Sequence, residues 1–180
     1  KRGFDQTTIE AIAADVSMTK RTVYARYDDK AALFLAAVKR GIEKLILSPE
    51  TIAATRDQGL EQTLFNIARL RINLVSTEQG LRLQRIINTE AYRFPQIFTQ
   101  YYELAVRPTV TFLAEIFEQE TKAGRLAIDD PMVAANTFMS MTVSGPVRYL
   151  TSGHALGPET LEARMAFSIT LFLNGARPRG

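Results

Sequence analysis

The sequence predicts an all-α fold, and three observations support this prediction. Apolar residues recur at three- and four-residue steps along most of the chain, the spacing that gives a helix one apolar face. Alternation of apolar and polar residues, which is typical of strands, is scarce. Glycine and proline fall mainly between the periodic segments, where helices end.

Eight helices are predicted from this pattern. Pro108 should kink or split the sixth helix, because a proline inside a helix removes a backbone hydrogen bond. The third helix crosses from an N-terminal domain at 1–46 into a second domain at 47–180, so no flexible linker is expected. The predicted helices span residues 8–15, 19–26, 29–46, 58–76, 80–94, 95–123, 130–151 and 158–175.

The composition excludes several kinds of site. The 180 residues are 46% hydrophobic and 23% charged, which is enough apolar material for a globular core. There is no cysteine, so disulfides, thiolate metal sites and cysteine nucleophiles are excluded. The one histidine, His154, lies in a glycine-flanked loop and is expected at the surface. With no long apolar run and no signal-peptide pattern, we expect a cytoplasmic protein without membrane contact, metal, cofactor or catalytic residues.

The excess positive charge lies in the first quarter of the chain. Of its 22 Lys or Arg and 19 Asp or Glu, residues 1–44 hold nine and six, and residues 45–180 hold thirteen of each. Such a patch suits nucleic acid, because phosphate contacts dominate the affinity of proteins for DNA. On charge alone, ordinary scatter explains an excess of three equally well.

The N-terminal pattern predicts two short helices joined by a tight turn. Thr7 or Thr8 can cap the first helix, whose inner face is Ile9, Ile12 and Ala13. A side-chain oxygen at this position satisfies a backbone N–H group that has no partner inside the helix. The inner face then packs towards the helix that follows.

The second short helix is polar and basic on its outer face. After a turn at 16–18, Thr19 can cap this helix, and Val23 and Tyr27 point inward. Asp28 or Asp29 can cap the third helix. Such a helix-turn-helix places its second helix in the major groove of DNA.

This stretch resembles the DNA-binding region of the TetR family over about 34 residues. Ser17 stands where the family has a turn glycine, and Arg21 stands where a glycine is common. The resemblance implies a further helix upstream of Gly3, which the chain does not include. The matching residues are Gly3-Phe4, Thr7-Thr8, Ile12-Ala13, Thr19-Lys20-Arg21-Thr22-Val23-Tyr24, and Lys30 ahead of Leu33-Phe34.

The resemblance also implies roles for individual side chains. The candidates for contacts with base edges are Thr19, Lys20, Arg21 and Thr22. The candidates for contacts with phosphates are Thr8, Tyr24 and Lys30. The alternative for Lys20 and Arg21 is a solvated helix face.

A second resemblance covers part of the body. Glu90-Ala91, Arg93-Phe94-Pro95 and the segment from Gly124 to Pro131 are similar to the regulatory domain of AefR-like members of the TetR family. This resemblance implies a domain that binds a small-molecule effector, whose identity the sequence does not reveal.

Two charges on apolar helix faces suggest a cavity. Arg71 and Glu90 each share a face with apolar residues, and a buried charge must be paired. They either pair with each other or anchor a ligand. The alternative for the surrounding side chains is simple core packing. The candidate cavity residues besides these two are Phe65, Phe98, Tyr101, Tyr102, Phe112, Phe138 and Met141.

The last predicted helix is apolar on nearly all sides towards its end, so it must be covered on all sides. A second copy of the chain is the expected cover, with the preceding helix joining the interface. The candidate interface residues are Val147, Leu161, Met165, Ile169 and Phe172.

These patterns predict a homodimeric, ligand-responsive transcriptional regulator. We expect a repressor that a small molecule releases from a near-palindromic operator of double-stranded DNA. An activator, or a regulator without a small-molecule ligand, is the alternative. An all-helical enzyme is a remote third, because no nucleophile, base or metal motif is present.

Overall fold

The computed structural model describes residues 3–57 and 59–178. Within these ranges every regular element is helical and none is a strand, which confirms the all-α prediction. No helix in the same ranges is long and apolar enough to cross a membrane.

Four helices form the N-terminal part: α1 (Gly3–Gln6), α2 (Ile9–Asp15), α3 (Lys20–Tyr24) and α4 (Lys30–Glu43). The predicted caps form, since the side chains of Thr8, Thr19 and Asp29 accept hydrogen bonds from backbone N–H groups in α2, α3 and α4. Helix α1 was not predicted. A small core of Ile9, Ala13 and Val23 holds α2 against α3, with Tyr27 and Leu33 packed on it.

Eight further helices form the body. Helix α5 was not predicted; it is short, and Ser48 caps it. The others follow the predicted segments, two of which are divided. The helices are α5 (Pro49–Ala53), α6 (Leu60–Val75), α7 (Glu78–Glu90), α8 (Pro95–Tyr101), α9 (Arg107–Lys122), α10 (Pro131–Met139), α11 (Gly145–Thr151) and α12 (Pro158–Ala176).

Two π-helical segments divide the predicted long helices. Tyr102–Val106 lies between α8 and α9, just before Pro108, so the predicted break is present. Ser140–Ser144 lies between α10 and α11, just before Pro146. The chain is helical from 131 to 151 as predicted, but the prediction missed the π-helical turn, which forms because Pro146 cannot donate the backbone hydrogen bond that a regular α-helix needs there.

Two cores hold the body together. The larger core lies among α6, α9, α10 and α12, and at its centre the rings of Phe117, Phe138 and Phe172 lie 5.2–6.2 Å apart. The second core joins α4 to α7 and α8 through residues that include Ile42 and Ile87. Helix α4 therefore belongs physically to both parts of the chain.

The chain itself covers one side of α12. Met165 and Ile169 are buried in the larger core, Val147 is buried beside them, and Leu161 and Phe172 pack against that core. The expectation that Val147, Met165 and Ile169 face a second copy needs correction, because their own subunit already buries them, whereas Leu161 and Phe172 are half-buried. The large apolar residues that α12 leaves exposed are Phe167 and Leu171.

Gly80 lies in the first turn of α7, where the backbone passes close to the end of α6. A Cβ at this position would lie 2.3 Å from the carbonyl oxygen of Val75, so the backbone would have to move. We predict that Gly80→Ala lowers the free energy of unfolding by about 1–3 kcal/mol. Gly175→Ala in α12 is the control, since its added methyl meets nothing within 4 Å and should be neutral or slightly stabilising. Urea denaturation of both variants measures the difference, and equal stabilities would contradict the prediction.

Candidate nucleic-acid interface and ligand cavity

The turn between α2 and α3 sets the position of α3. Ser17 has a φ of 52°, the left-handed conformation that glycine adopts without strain. The N–H of Met18 donates to the carbonyl of Ala13 at 2.8 Å, and the N–H of Ser17 donates to that of Ala14 at 3.2 Å. This pair of bonds is a Schellman motif, which ends α2 and turns the chain directly into α3.

The start of α3 presents a polar, cationic surface. Thr19, Lys20, Arg21, Thr22 and Tyr24 are all exposed. The Thr19 oxygen accepts from the N–H of Thr22 at 3.2 Å and lies 2.9 Å from the Thr22 hydroxyl, so both hydroxyls also stabilise the helix start. All five predicted side chains of this helix thus lie on an accessible surface.

The two cations on α3 differ in their surroundings. Lys20 forms an ion pair with Glu10 of α2, and this hydrogen bond raises the pKa of Lys20 and lowers the pKa of Glu10. Among the ion pairs of the described ranges, none involves Arg21. Arg21 therefore presents the less compensated charge on this surface.

The two remaining DNA candidates lie away from α3. Thr8 is exposed at the start of α2, where its oxygen accepts from the N–H of Ala11 at 3.2 Å. Lys30 is half-buried, its ammonium donates to the Asp5 carbonyl at 3.3 Å, and it lies 4.4 Å from the centre of the Phe4 ring. Lys30 thus holds α1 against α4 in this structure.

A cavity of about 350 Å³ lies among the helices of the body and opens to the surface beside exposed residues such as Phe98 and Arg148. Helices α6, α7, α8, α10 and α11 surround it, and both π-helical segments contribute to its wall. The lining residues are Arg71, Val75, Gln84, Ile87, Asn88, Phe98, Tyr101, Tyr102, Val106, Asn136, Met139, Ser140, Val143, Ser144, Val147, Arg148 and Thr151.

Four predicted ligand residues line this cavity: Arg71, Phe98, Tyr101 and Tyr102. Sequence reasoning missed Gln84, which shares the apolar face of α7 with Leu83 and Ile87. A polar residue on an apolar stripe is the signal that indicates Gln84, as it does for Arg71 and Glu90.

The other predicted ligand residues lie outside the cavity. Phe138 is fully buried in the aromatic cluster, and Phe65 packs on the same core below the Arg69 guanidinium. Phe112 lines a separate groove near α5, and Met141 faces the groove between α11 and α12. Helical spacing shows which residues are apolar, but it does not distinguish a cavity wall from solid core.

Arg71 and Glu90 do not share a site. Arg71 is 1% exposed and lines the cavity, whereas Glu90 lines a pocket between α7 and the N-terminal helices. The proposed pairing of the two side chains is therefore not present. They lie on different faces of the body, with the backbone of α7 between the two pockets.

The buried Arg71 is incompletely hydrogen-bonded. Its Nη1 donates to the Leu45 carbonyl at 3.4 Å, and its Nε has no acceptor. Burial lowers the pKa of Arg71, because removing the guanidinium from water costs free energy, and the neighbouring Tyr101 hydroxyl opposes this effect. The Nε2 of Gln84, in a residue 8% exposed, also has no hydrogen-bond acceptor.

An aromatic contact joins the body to the N-terminal helices. The rings of Phe4, Phe34 and Phe94 lie 5.1–5.4 Å apart. Arg93, just beyond α7, forms an ion pair with Asp5 and lies over the Phe4 ring at 4.6 Å. The segment that follows α7 is therefore in direct contact with α1 and α4.

Two family models match the chain. The model described as "Bacterial regulatory proteins, tetR family" matches residues 1–37. The model described as "AefR-like transcriptional repressor, C-terminal domain" matches residues 62–174. The two matches together cover the helix-turn-helix and most of the body.

Solved structures and curated relatives agree with these matches. A Mesorhizobium loti protein assigned to the TetR family superimposes with a TM-score of 0.76 at 26% identity, over 98% of this chain and 90% of that chain. The Flavonoid-responsive Regulator FrrA gives 0.71 at 30% identity, over 99% and 91%. An uncharacterized HTH-type transcriptional regulator of Mycobacterium tuberculosis is 41% identical over 51 residues, 28% of this chain and only 25% of its own length.

Ser17 offers a test of the turn. We predict that Ser17→Gly raises the free energy of unfolding by up to about 1 kcal/mol, because glycine adopts a positive φ without the strain of a Cβ. Ala14→Gly, one turn earlier on an exposed helical site, should instead lower it by about 1 kcal/mol. Thermal melts of the two variants measure the shifts, and destabilisation by both would show that the left-handed turn is not strained.

Proposed function

The chain belongs to the tetR family of bacterial regulatory proteins, and from that premise we propose that it is a ligand-responsive repressor that binds a near-palindromic operator as a homodimer. Members of this family are transcriptional regulators and not enzymes. One observation carries the proposed ligand response: α7 lines the cavity through Gln84, Ile87 and Asn88, and through Ile86 and Glu90 it lines the pocket beside α1 and α4.

The DNA-binding part of the proposal rests on α3. A helix-turn-helix inserts the N-terminal residues of its second helix into the major groove. Thr19, Lys20, Arg21 and Thr22 occupy that position, and we assign them to base edges. Thr8 and Tyr24 are assigned to phosphates, which set the register of the protein on DNA. Lys30 would have to give up its contacts with α1 to reach a phosphate.

The proposed release mechanism depends on the position of α7. A ligand in the cavity would press on the face of α7 that carries Gln84 and Asn88. The adjoining face holds α4 through Leu83, and Ile87 belongs to both the cavity wall and the core with α4. The segment that follows α7 also meets α1 through Arg93 and Asp5. A small displacement of α7 would therefore move the helix-turn-helix of each subunit and change the spacing of the two recognition helices.

Two comparisons support the ligand and the repressor role. FrrA is flavonoid-responsive by name, and this chain is 30% identical to it over nearly its whole length. The model matching residues 62–174 is that of a repressor domain. If the purified protein binds operator DNA but no aromatic compound releases it, the proposal gives way to a regulator without a small-molecule ligand.

The homodimer is proposed to use the exposed side of α11 and α12. This side, here called the α11–α12 face, consists of Tyr149, Ala163, Phe167 and Leu171, with the half-buried Met141 of the preceding π-helical segment beside them. The spacing of Ala163, Phe167 and Leu171 places them on one stripe of α12, opposite the buried stripe of Met165 and Ile169. A second copy would cover this apolar stripe and give the two-fold symmetry that a palindromic operator requires.

The domain division is part of the same proposal. Residues 1–46 form the DNA-binding domain and residues 47–180 the regulatory and dimerisation domain. The division falls after α4, the helix that carries contacts of both parts.

The function is tested by selecting DNA from a random library with the purified protein and by following the role of Arg21. We predict that Arg21→Ala relaxes the base preference at one position of each half-site and costs about 1–3 kcal/mol of binding free energy there. Lys122→Ala, on α9 in the body, is the control and should leave both sequence preference and salt dependence unchanged. Failure of the wild type to enrich any sequence would contradict the DNA-binding proposal, and an unaltered preference in Arg21→Ala would pass the base-reading role to its neighbours on α3.

The dimer is tested at Phe167, which is 68% exposed in the single chain. We predict that Phe167→Glu yields folded monomers, because a carboxylate cannot be buried unpaired at an apolar interface. Tyr92→Glu replaces another exposed aromatic residue, beyond α7, and should leave the dimer intact. Light scattering gives the masses, and a dimeric Phe167→Glu variant would show that the interface lies elsewhere. Phe172 is unsuitable for this test, since its ring belongs to the core.

A further inference from the structure

We propose that the cavity lined by Arg71 and Gln84 selects ligands that carry a single carboxylate on an aromatic skeleton, with these two residues as the donors that hold the carboxylate. This inference rests on the proposed function, in which the cavity holds the effector. It specifies that the effector is an anion and that its polar group is a carboxylate.

Two buried donors in the cavity wall have no acceptor. They are the Nε of Arg71 and the Nε2 of Gln84, and both residues are more than nine-tenths buried. A buried donor without an acceptor costs free energy, so such groups are rare in folded proteins. An acceptor-rich group in the cavity would satisfy both donors.

The charge of the cavity has one sign. Its lining contains two arginines, Arg71 and Arg148, and no Asp or Glu. Throughout residues 3–57 and 59–178, no ion pair neutralises Arg71. A buried charge requires a partner, and an anionic ligand is the partner that this wall can accept.

A purely structural role leaves part of Arg71 unexplained. Its bond to the Leu45 carbonyl, at 3.4 Å, ties α6 to the end of the α4 segment. That bond is long for a charged donor, and the Tyr101 hydroxyl is the other neighbour that favours the charged guanidinium. The Nε is left without an acceptor in a residue that lines the cavity, and we assign the carboxylate of a ligand to it.

The rest of the wall favours an aromatic skeleton. The rings of Phe98 and Tyr102 lie 6.5 Å apart and nearly parallel, and Tyr101 adjoins them. Val75, Ile87 and Val147 supply apolar surface. A cavity of about 350 Å³ lies at the lower end of the range for small-molecule sites, so a compact ring system is the right size. A dianionic phosphate would lose more hydration than two donors can replace.

The π-helical segments give independent support for a binding role. Tyr102–Val106 and Ser140–Ser144 are separate in sequence, yet both contribute side chains to this one cavity. Single-turn π segments interrupt the regular hydrogen bonding of a helix and occur frequently at functional sites. Their convergence on one wall marks this cavity as a built site.

The experiment compares carboxylates with their neutral isosteres. The probes are benzoate, trans-cinnamate, 3-phenylpropanoate and 2-naphthoate, each beside its primary carboxamide, which keeps the shape and removes the charge. Binding is measured by calorimetry and thermal shift on the full chain. We expect the best carboxylate to bind wild type at least tenfold more tightly than its amide, in line with the strength of charge-assisted hydrogen bonds.

Variants assign that preference to the two donors. Arg71→Met fills a similar volume without charge and should remove the preference for carboxylate over amide. Gln84→Leu leaves the Arg71 charge in place. It should weaken carboxylate binding while retaining part of the preference for carboxylate over amide. Arg69→Met is the matched control, because Arg69 is exposed on the same helix and pairs with Glu162 at 2.8 Å. It should behave as wild type.

Each outcome has a defined meaning. Equal binding of acid and amide by wild type, an unchanged preference in Arg71→Met, or the absence of any carboxylate that stabilises wild type more than Arg71→Met would overturn the inference. If Arg71→Met does not fold, the inference is tested by Gln84→Leu and by the comparison of acid with amide in wild type. DNA binding is measured in parallel. If a neutral compound releases DNA and no carboxylate binds, the ligand-responsive function stands and the carboxylate preference is refuted. If a carboxylate binds but leaves DNA affinity unchanged, the carboxylate preference stands and the ligand-responsive function is refuted.

Discussion

The apolar core shared by α4, α7 and α8 holds the helix-turn-helix at a fixed place on the body. Val38 and Ile42 of α4 meet Leu83 and Ile87 of α7, and Ile97 of α8 closes the cluster. Because these side chains are close-packed, α7 cannot shift without α4 responding. The small core of α2 and α3 is attached to the body through α4 and through the aromatic contact at Phe4.

The other face of α7 explains why a cavity can persist beside a tightly packed core. Polar groups such as Gln84 and Asn88, together with Arg71 of α6, cannot be covered by apolar neighbours without losing hydrogen bonds. The two π-helical segments widen the adjoining helices where they face these groups. The polar groups of α6 and α7 thus keep this region from closing into solid core. The cavity lies beside α7 and α8, the two helices of the body that share a core with α4.

Helix α12 is apolar on two sides, one covered by its own subunit and the other exposed. Apolar residues surround α12, but the larger core uses only the stripe that contains Met165, Ile169 and Leu173. Phe167 and Leu171 are left on the outside. A helix that is apolar on both sides requires two covers, and the second is the proposed partner subunit.

The sequence by itself determined the helical fold, the cap at Thr19, the break near Pro108 and the composition of the α3 surface, because these depend on neighbours within a few residues along the chain. It narrowed two further caps to Thr7 or Thr8 and to Asp28 or Asp29, and the structure has Thr8 and Asp29. The tertiary structure alone decided which apolar and charged side chains face a cavity. Phe138 and Tyr101 were both predicted to line the cavity, yet one is solid core and the other a cavity wall. Glu90 and Arg71 were expected to meet and lie in different pockets. The physical reason is that helical periodicity gives the direction of a side chain relative to its own helix, whereas its surroundings depend on how distant helices cross.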